Sequence, residues 1–160
     1  MLNIINFKQI GIIYSSLKTI ENMPIQPLNF NSAEGTIELF HEYTEGLKDV
    51  EYFSHLILIY YFHEVKESKL NVKPFMDNDF HGIFATRAPV RPNPIGFSTV
   101  RLIKIEENLL FVDNIDILDN TPLLDIKPFF EKFDNRYNTK AGWLDKNDEV
   151  FQTKSDSRFK

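Results

Sequence analysis

The stretch SHLILIYYFH, residues 54–63, decides the fold class of this chain. Nearly every side chain in it is aliphatic or aromatic, and such residues favour β-strands. Because the run is apolar at consecutive positions, both faces of the strand would be apolar. A run of this kind predicts a central strand that is covered on both sides. Such a strand needs a neighbour along each edge, and the flanking sequence supplies candidates.

Further short strands are predicted before and after this central strand. Residues 7–16 place Ile10, Ile12 and Tyr14 on one face with period-two spacing. We expect a short helical turn within residues 41–50, a partly helical segment at 126–134, and loops at 17–30 and 66–79. Many short strands with few helices predict a mainly β fold, a small β-barrel with short helices. The remaining predicted strands are residues 35–40, 80–86, 97–105 and 109–117.

Length and composition predict one compact domain. The chain has 160 residues, of which 42% are hydrophobic, enough for a single core. We expect a barrel domain over residues 1–140 and a C-terminal extension over 141–160 whose tail is flexible. The N-terminal residues lack the pattern of a signal peptide, and no apolar stretch reaches the length of a membrane span. We therefore expect a cytoplasmic protein with no membrane partner.

Several common site motifs are absent from the sequence. The six glycines, at positions 11, 35, 46, 82, 96 and 142, are too far apart to form a phosphate-binding loop. This spacing excludes a Rossmann dinucleotide fingerprint and a P-loop. The chain has no Cys, which excludes thiolate ligands and disulfides. The four histidines have no metal-ligand spacing, so we expect no metal site.

Charge is unevenly distributed along the chain. The formal net charge of -5 argues mildly against a nucleic-acid partner. Residues 81–104 nevertheless contain four basic side chains and no acidic one, whereas residues 105–125 contain six acids and no Lys or Arg. The basic segment could therefore face an anion within an otherwise acidic protein.

That basic segment begins with HGIFATRAPVRPNPIGFS, residues 81–98. Its three prolines each fix φ and restrict the preceding residue to extended conformations. The resulting stiff turn displays Arg87, Arg91 and Asn93. Two guanidinium groups held rigidly suit the recognition of carboxylate or phosphate. The alternative, a proline-stiffened connection with solvated arginines, stays open on these residues alone.

Three stretches together resemble a known family. The ATR and RPNPIG parts of residues 81–98, the strand SHLILIYYFHE at 54–64, and LDNTPLLDIKPF at 118–129 are similar in sequence and order to the signature of the TsaA/TrmO-like family. The resemblance runs from about residue 7 to about residue 134. It implies a β-barrel methyltransferase that uses S-adenosylmethionine, binds it near a homodimer interface, and methylates N6 of N6-threonylcarbamoyladenosine beside the tRNA anticodon.

Carried over residue by residue, the resemblance implies a set of site residues. Substrate contacts would be Arg91, Asn93, Asp125 and Lys127. The catalytic residue is not identified, and Asp125 and His63 are the candidates for a general base by residue type. The implied cofactor contacts are Pro24, Ile25, Gln26, His63, Glu64, Arg87, Phe97, Leu118, Asp119, Asn120 and Thr121.

Two departures from the family pattern bear on function. Asn120 stands where the family has Gly, and Asn tolerates the left-handed backbone that such a turn requires. Larger members also carry a C-terminal domain for which this chain has no room. Two alternatives therefore remain: a methyltransferase of the same fold acting on another RNA or a small molecule, and a non-enzymatic domain that binds S-adenosylmethionine.

Overall fold

The computed structural model describes residues 4–21, 33–146 and 155, and it confirms the mainly β fold. Six antiparallel strands close into a barrel in the order β1-β2-β7-β6-β3-β8, and β4 pairs with β5 in a separate two-stranded sheet. No helix within the described ranges is long and apolar enough to cross a membrane. The strands are β1 Gly11–Ser15, β2 Gly35–Leu39, β3 His55–Tyr61, β4 Asn71–Val72, β5 His81–Gly82, β6 Ile95–Glu106, β7 Leu109–Asp113 and β8 Thr121–Pro128.

The first and last strands close the barrel. Gly11 of β1 pairs with Leu123 of β8, while the other edge of β1 pairs with β2. On the opposite side β3 lies between β6 and β8, as its apolar sequence predicts. The barrel therefore leaves neither edge of β1 or β3 unpaired, which removes the edges along which strands aggregate.

The core fills the barrel interior, and β3 contributes one of its two faces to it. Leu56, Leu58 and Tyr60 point inward and are at most 6% exposed. Ile57 and Ile59 point outward and are only partly buried. Within the described residues the outer face of this strand is therefore only partly covered, so the expectation that both faces are fully covered is wrong for this part of the chain. The other large side chains of the interior are Ile13, Ile37, Leu110, Val112, Val100, Ile115, Ile117 and Leu123.

A second, smaller apolar cluster lies outside the barrel, between β3 and β6 in sequence. Val72, Ile83, Ala88 and Val90 are its buried members. The predicted strand at 80–86 is largely wrong, because only β5 is extended and a single 3-10 turn follows at Ile83–Ala85. Thr86 closes this turn, since both its backbone N–H and its hydroxyl donate to the Ile83 carbonyl.

The segment before the C-terminal extension is partly helical, as the sequence predicts. Within residues 126–134 the α-helix α1 covers Glu131–Asp134, while β8 extends to Pro128, which the prediction lacks. The two prolines at positions 122 and 128 disfavour an interior strand, yet they lie near the two ends of β8, where a missing donor is tolerated. The other predicted helical turn is present as 3-10 helices at His41–Leu47 and Val50–Tyr52.

The extension contributes one side chain to the small cluster's surface. Trp143, in the 3-10 helix Gly142–Lys146, stacks on His81 with ring centroids 4.6 Å apart and donates from Nε1 to the Ala85 carbonyl at 2.8 Å. His81 Nε2 in turn lies 3.0 Å from Asp77 Oδ2. This contact fixes the turn that leads into Arg87. The division at residue 140 stays a prediction, and residues 147–154 and 156–160 lie outside the described part of the chain.

Candidate functional site

Several predicted cofactor residues meet at one end of the barrel, where β3 ends and β8 begins. The Thr121 hydroxyl donates to the Leu118 carbonyl at 2.6 Å and lies 3.4 Å from His63 Nδ1. His63 Nε2 lies 3.5 Å from a Glu64 carboxylate oxygen. The structure thus brings together four residues that sequence reasoning placed in two separate motifs. We call this group, with Asp119 and Asn120, the rim cluster.

Asp119 is the most heavily bonded member of the rim cluster. It accepts from the backbone N–H of Ser15 at 2.9 Å and from Lys18 Nζ at 2.6 Å. The hydrogen bond from Lys18 is the main reason that the pKa of Asp119 is lowered. Its carboxylate is therefore ionised and held in place, which suits an acceptor for hydroxyl groups.

Asn120 adopts the conformation that the family's Gly predicts. Its φ is 60°, in the left-handed region, and its side-chain amide donates to Asp119 Oδ2 at 2.7 Å. The prediction that Asn can maintain this turn is confirmed. The substitution also adds a hydrogen bond that a glycine could not make.

An open groove of about 490 Å³ lies beside Asp119 and Asn120 on the outer face of β1 and β2. Tyr14, Lys18 and Phe111 contribute to its walls. Among the described residues, His63, Arg87 and Phe97 do not line it. The groove therefore adjoins the rim cluster but is not a pocket that contains every predicted cofactor contact.

Three hydrogen-bonded polar side chains, the buried Tyr60 and Ser98 and the half-buried Asp116, form a chain that sequence reasoning missed. The Ser98 hydroxyl donates to Asp116 Oδ1 at 2.6 Å. Because the single Ser98 proton is used in that bond, the Tyr60 hydroxyl, 3.0 Å from Ser98 Oγ, donates to Ser98. Burial raises the pKa of Asp116 and the pKa of Tyr60, and the positive charge of Arg87 partly offsets both effects.

The sequence carries no signal for this chain. In NIDIL, residues 114–118, Asp116 takes the polar position between Ile115 and Ile117, and such alternation predicts a solvated carboxylate rather than one that needs a partner. The partner, Ser98, ends the proline-rich run. Only the pairing of β6 with β3, which sets Leu58 against Ser98 and Tyr60 against Gly96, shows that Tyr60 joins them.

Arg87 and Phe97 form the exposed part of the site. The Arg87 guanidinium carbon lies 5.1 Å from the centre of the Phe97 ring, which is 56% exposed. Phe97 points outward from β6, whereas its neighbour Ser98 points inward. Arg87 is thus positioned by stacking on Phe97 and by its charge interaction with the half-buried Asp116. Among the described residues no side chain forms an ion pair with Arg87, so its guanidinium can accept an anionic ligand there.

Arg91 has a structural role in the proline-rich loop. One of its terminal nitrogens donates to the carbonyls of Ile83, Thr86 and Ala88, at 3.3, 2.9 and 3.3 Å. The sequence left two interpretations of this loop, a structural connection and a surface that binds an anion. Arg91 fits the first, because it holds the loop together, and Arg87 fits the second. Contact between RNA and Arg91 or the exposed Asn93 stays a prediction.

Asp125 and Lys127 lie on the outer face of β8 and pair with each other at 2.7 Å. Asp125 stands opposite Ile59, and Ile59 stands opposite Phe97 on its other edge, so one row across the sheet carries both Phe97 and Asp125. Asp125 does not approach His63, which follows the far end of β3. Pro24, Ile25 and Gln26 lie outside the described residues, and their predicted role stays a prediction.

Comparison with known proteins matches most of this chain to one family. Residues 12–135 match the family model of the tRNA-methyltransferase O N-terminal domain. A relative from Pyrococcus abyssi, described as a "probable S-adenosyl-L-methionine-binding protein", is 51% identical over 96% of this chain and 84% of its own. An S-adenosyl-L-methionine-binding protein from Archaeoglobus fulgidus is 38% identical over 79% of this chain and 91% of its own.

Solved structures agree with the family match. The crystal structure of TrmO from Pseudomonas aeruginosa superposes with a TM-score of 0.75 at 36% identity, covering 88% of this chain. This chain spans 63% of the length of that protein. The fold defines a small, closed β-barrel protein that is similar to S-adenosyl-L-methionine-binding proteins. The chain belongs to the tRNA-methyltransferase O family, through its N-terminal domain.

Proposed function

We propose that this protein is an S-adenosylmethionine-dependent methyltransferase that methylates N6 of N6-threonylcarbamoyladenosine in tRNA, next to the anticodon, in the cytoplasm. The observation that carries the proposal is the presence of two sets of polar groups on one small barrel: the rim cluster with its ionised Asp119, and the exposed Arg87–Phe97 pair. Family membership supports the reaction class. The aromatic, cationic and anionic groups of the site supply the complementary chemistry.

The residues present fit the cofactor. Its carboxylate matches Arg87, its ribose hydroxyls match the ionised Asp119, and its adenine matches the apolar surfaces of Phe97 and Leu118. His63 and Glu64 adjoin Thr121 at the same rim. Bound S-adenosylmethionine supplies a methyl group on a positively charged sulfur, ready for transfer to a nucleophile.

The protein's own contribution is mainly alignment. Transfer of a methyl group requires the nucleophile in line with the bond that breaks, and holding that geometry lowers the barrier. The negative charge of Asp116 attracts Arg87 and favours its position beside Phe97, while Ser98 donates a hydrogen bond to Asp116 and accepts one from Tyr60. A proton acceptor for the target nitrogen comes from Asp125 or His63, and these two lie on different parts of the site.

A second copy of the chain completes the site in this proposal. The outer face of β3 and β6 carries Ile57, Ile59, Tyr61 and Phe97, with Tyr61 40% and Phe97 56% exposed. An apolar sheet face of this kind is unusual on a monomer. A homodimer through this face would place the Arg87–Phe97 pair beside the interface.

The first experiment is calorimetric titration with S-adenosylmethionine and S-adenosylhomocysteine. We expect micromolar binding by the wild type and at least tenfold weaker binding by Arg87→Ala, since the variant loses a charge-assisted contact. Arg136→Ala is the matched control, because Arg136 lies beyond β8 and donates locally to backbone carbonyls. Absence of binding by a folded wild type would contradict the proposal.

The second experiment identifies the acceptor. Radiolabelled methyl transfer is measured on tRNA that carries N6-threonylcarbamoyladenosine and on the same tRNA without the threonylcarbamoyl group. Transfer only to the first supports the proposal. Transfer to small molecules or other RNA would favour a different substrate for the same fold. Cofactor binding with no transfer would favour a non-enzymatic domain.

A further inference from the structure

An exposed surface of aromatic and basic side chains follows β8, at the opposite end of that strand from the rim cluster. Phe130 and Phe133 are 44% and 69% exposed, and their rings stack with centroids 4.8 Å apart at an interplanar angle of 24°. Tyr137 is 81% exposed. Together with Lys132, Arg136 and Lys140 they form what we call the aromatic–basic surface.

This surface is held in a fixed geometry by the short helix α1. The Phe130 backbone N–H donates to Asp134 Oδ2 at 2.6 Å, and the N–H groups of Phe133 and Asp134 both donate to the Phe130 carbonyl at 2.9 Å. Arg136 donates to the Phe133 carbonyl and, at 2.8 Å, to the Asn135 carbonyl. A ligand that stacks on Phe133 would therefore order little that is not already ordered.

The charge of the surface is opposite to that of the whole chain. Residues 126–140 contain four basic and two acidic side chains, whereas the chain carries a formal net charge of -5. One of these two acids, Asp134, already accepts the hydrogen bond that caps α1. The surface is therefore complementary to an anion, and positive charge on both partners would oppose its pairing with a second copy of itself.

The surface is continuous with the outer face that carries the candidate site. Phe129 joins the two, because its backbone N–H donates to the His55 carbonyl at 3.0 Å and its ring lies 6.1 Å from the His55 ring. Lys127 and Asp125 lie on the same strand. At the usual strand rise, Phe130 is roughly 16 Å along the chain from Asp125.

We propose that the aromatic–basic surface binds an unpaired stretch of RNA, with a base stacked on Phe133 and phosphates beside Lys132, Arg136 and Lys140. Exposed aromatic rings interleaved with cations are the combination by which proteins bind single-stranded nucleic acid. A base offers a flat face and a phosphate offers the anion, so RNA matches both halves of the surface. This proposal rests on the RNA substrate of the proposed function. It adds a surface that binds the RNA at some distance from the nucleotide that is methylated.

The test is fluorescence anisotropy with a labelled ten-nucleotide single-stranded RNA, in a salt series from 50 to 200 mM. We expect Phe133→Ala to weaken binding about 5- to 150-fold, and Phe133→Trp to retain it, because a larger ring still stacks. Phe80→Ala is the matched control, since Phe80 is a comparably exposed ring, at 73%, outside the surface. The double variant Lys132→Gln/Lys140→Gln should lower the slope of log K against log salt by about 1.4.

Each other outcome overturns the proposal. Equal RNA affinities of Phe133→Ala and wild type would show that no base stacks on Phe133. Equal losses of RNA affinity in Phe133→Ala and Phe80→Ala would show the same. A change in sedimentation of Phe133→Ala without a change in RNA affinity would assign the surface to a second protein chain. Failure of methyl transfer to tRNA alongside Phe133-dependent RNA binding would instead remove the proposed reaction and leave this surface standing.

Discussion

At the scale of single residues, Asp116 is the least expected feature of the site. It is an acid between two buried isoleucines, bonded to Ser98 and close enough to Arg87 for their charges to interact. Burying a carboxyl group disfavours its ionised form, and here the neighbours compensate only in part. The protein therefore retains a group that reduces its stability at neutral pH, as is common at functional sites.

The pH dependence of stability tests this view of Asp116. The folded state holds the Asp116 proton to higher pH than the unfolded state does, because burial raises its pKa. This group's contribution to the free energy of unfolding should thus fall as pH rises from about 4, the unfolded pKa, through the raised folded pKa. Asp116→Asn should lack this fall, so it should gain stability relative to wild type between pH 4 and pH 7.

Urea unfolding at pH 4 and at pH 7 measures the difference. Glu67→Gln, which changes an exposed acid on the loop after β3, is the control and should follow the wild type. A parallel pH dependence of Asp116→Asn and wild type would contradict the assignment. Cofactor titration of the same variant then reports whether Arg87 remains positioned once the carboxylate has been replaced.

The proline-rich run also shows what the sequence cannot predict, namely which of its two arginines is free to bind a ligand. The proline-rich run predicts Arg87 as an anion contact, and the structure leaves Arg87 free to act while it commits Arg91 to three carbonyls. The sequence offers no means of separating two arginines four positions apart in a loop. Their difference arises from the carbonyls of Ile83, Thr86 and Ala88, which converge only after the 3-10 turn forms.

At the scale of elements, the pairing of β3 with β6 determines how the buried polar chain is built. Gly96 stands opposite Tyr60, and a Cβ atom at Gly96 would lie 2.4 Å from the Tyr60 ring. Gly96 is the second residue of β6, and a glycine within a strand is normally unfavourable. Here it leaves space for the ring whose hydroxyl reaches Ser98.

We expect Gly96→Ala to destabilise the protein by about 1–3 kcal/mol, because the Tyr60 ring must move within a packed core. Gly46→Ala is the matched control, since a Cβ atom there would meet nothing within 4 Å, and its effect should stay within about 0.5 kcal/mol. Urea unfolding measures both variants. Equal stabilities of the two would show that Tyr60 can shift without cost.

The sequence predicts elements with a clear local signal well and elements with mixed signals poorly. The apolar run of β3 predicts a strand from local sequence alone, and the structure confirms it. The sequence does not predict the start of β8, because a proline such as Pro122 is unfavourable in a strand and because its partner, Ile12, lies more than a hundred positions away. Local sequence carries no information about such a partner.

At the scale of the whole molecule, the outer face of β3 and β6, which the described residues cover only in part, predicts self-association. We expect Tyr61→Glu to shift the protein from dimer to monomer and to weaken S-adenosylmethionine binding at the same concentrations, because a charge in an apolar interface is costly. Leu70→Glu is the control, since Leu70 is 66% exposed and lies outside that face. Sedimentation velocity and calorimetry measure the two effects, and tight cofactor binding by a monomeric Tyr61→Glu would contradict an interface site.

The pairing of β1 with β8, which closes the barrel, also affects the synthesis of the protein on the ribosome. Residue 11 cannot pair until residue 123 has been synthesised, and at usual rates of synthesis this interval is roughly 6–22 s. During that time β1 and its partner β2 expose an open edge and an apolar face. Topologies dominated by such distant pairings also fold slowly, in milliseconds to seconds. The nascent chain, rather than the finished barrel, is thus the state most exposed to aggregation and most dependent on chaperones.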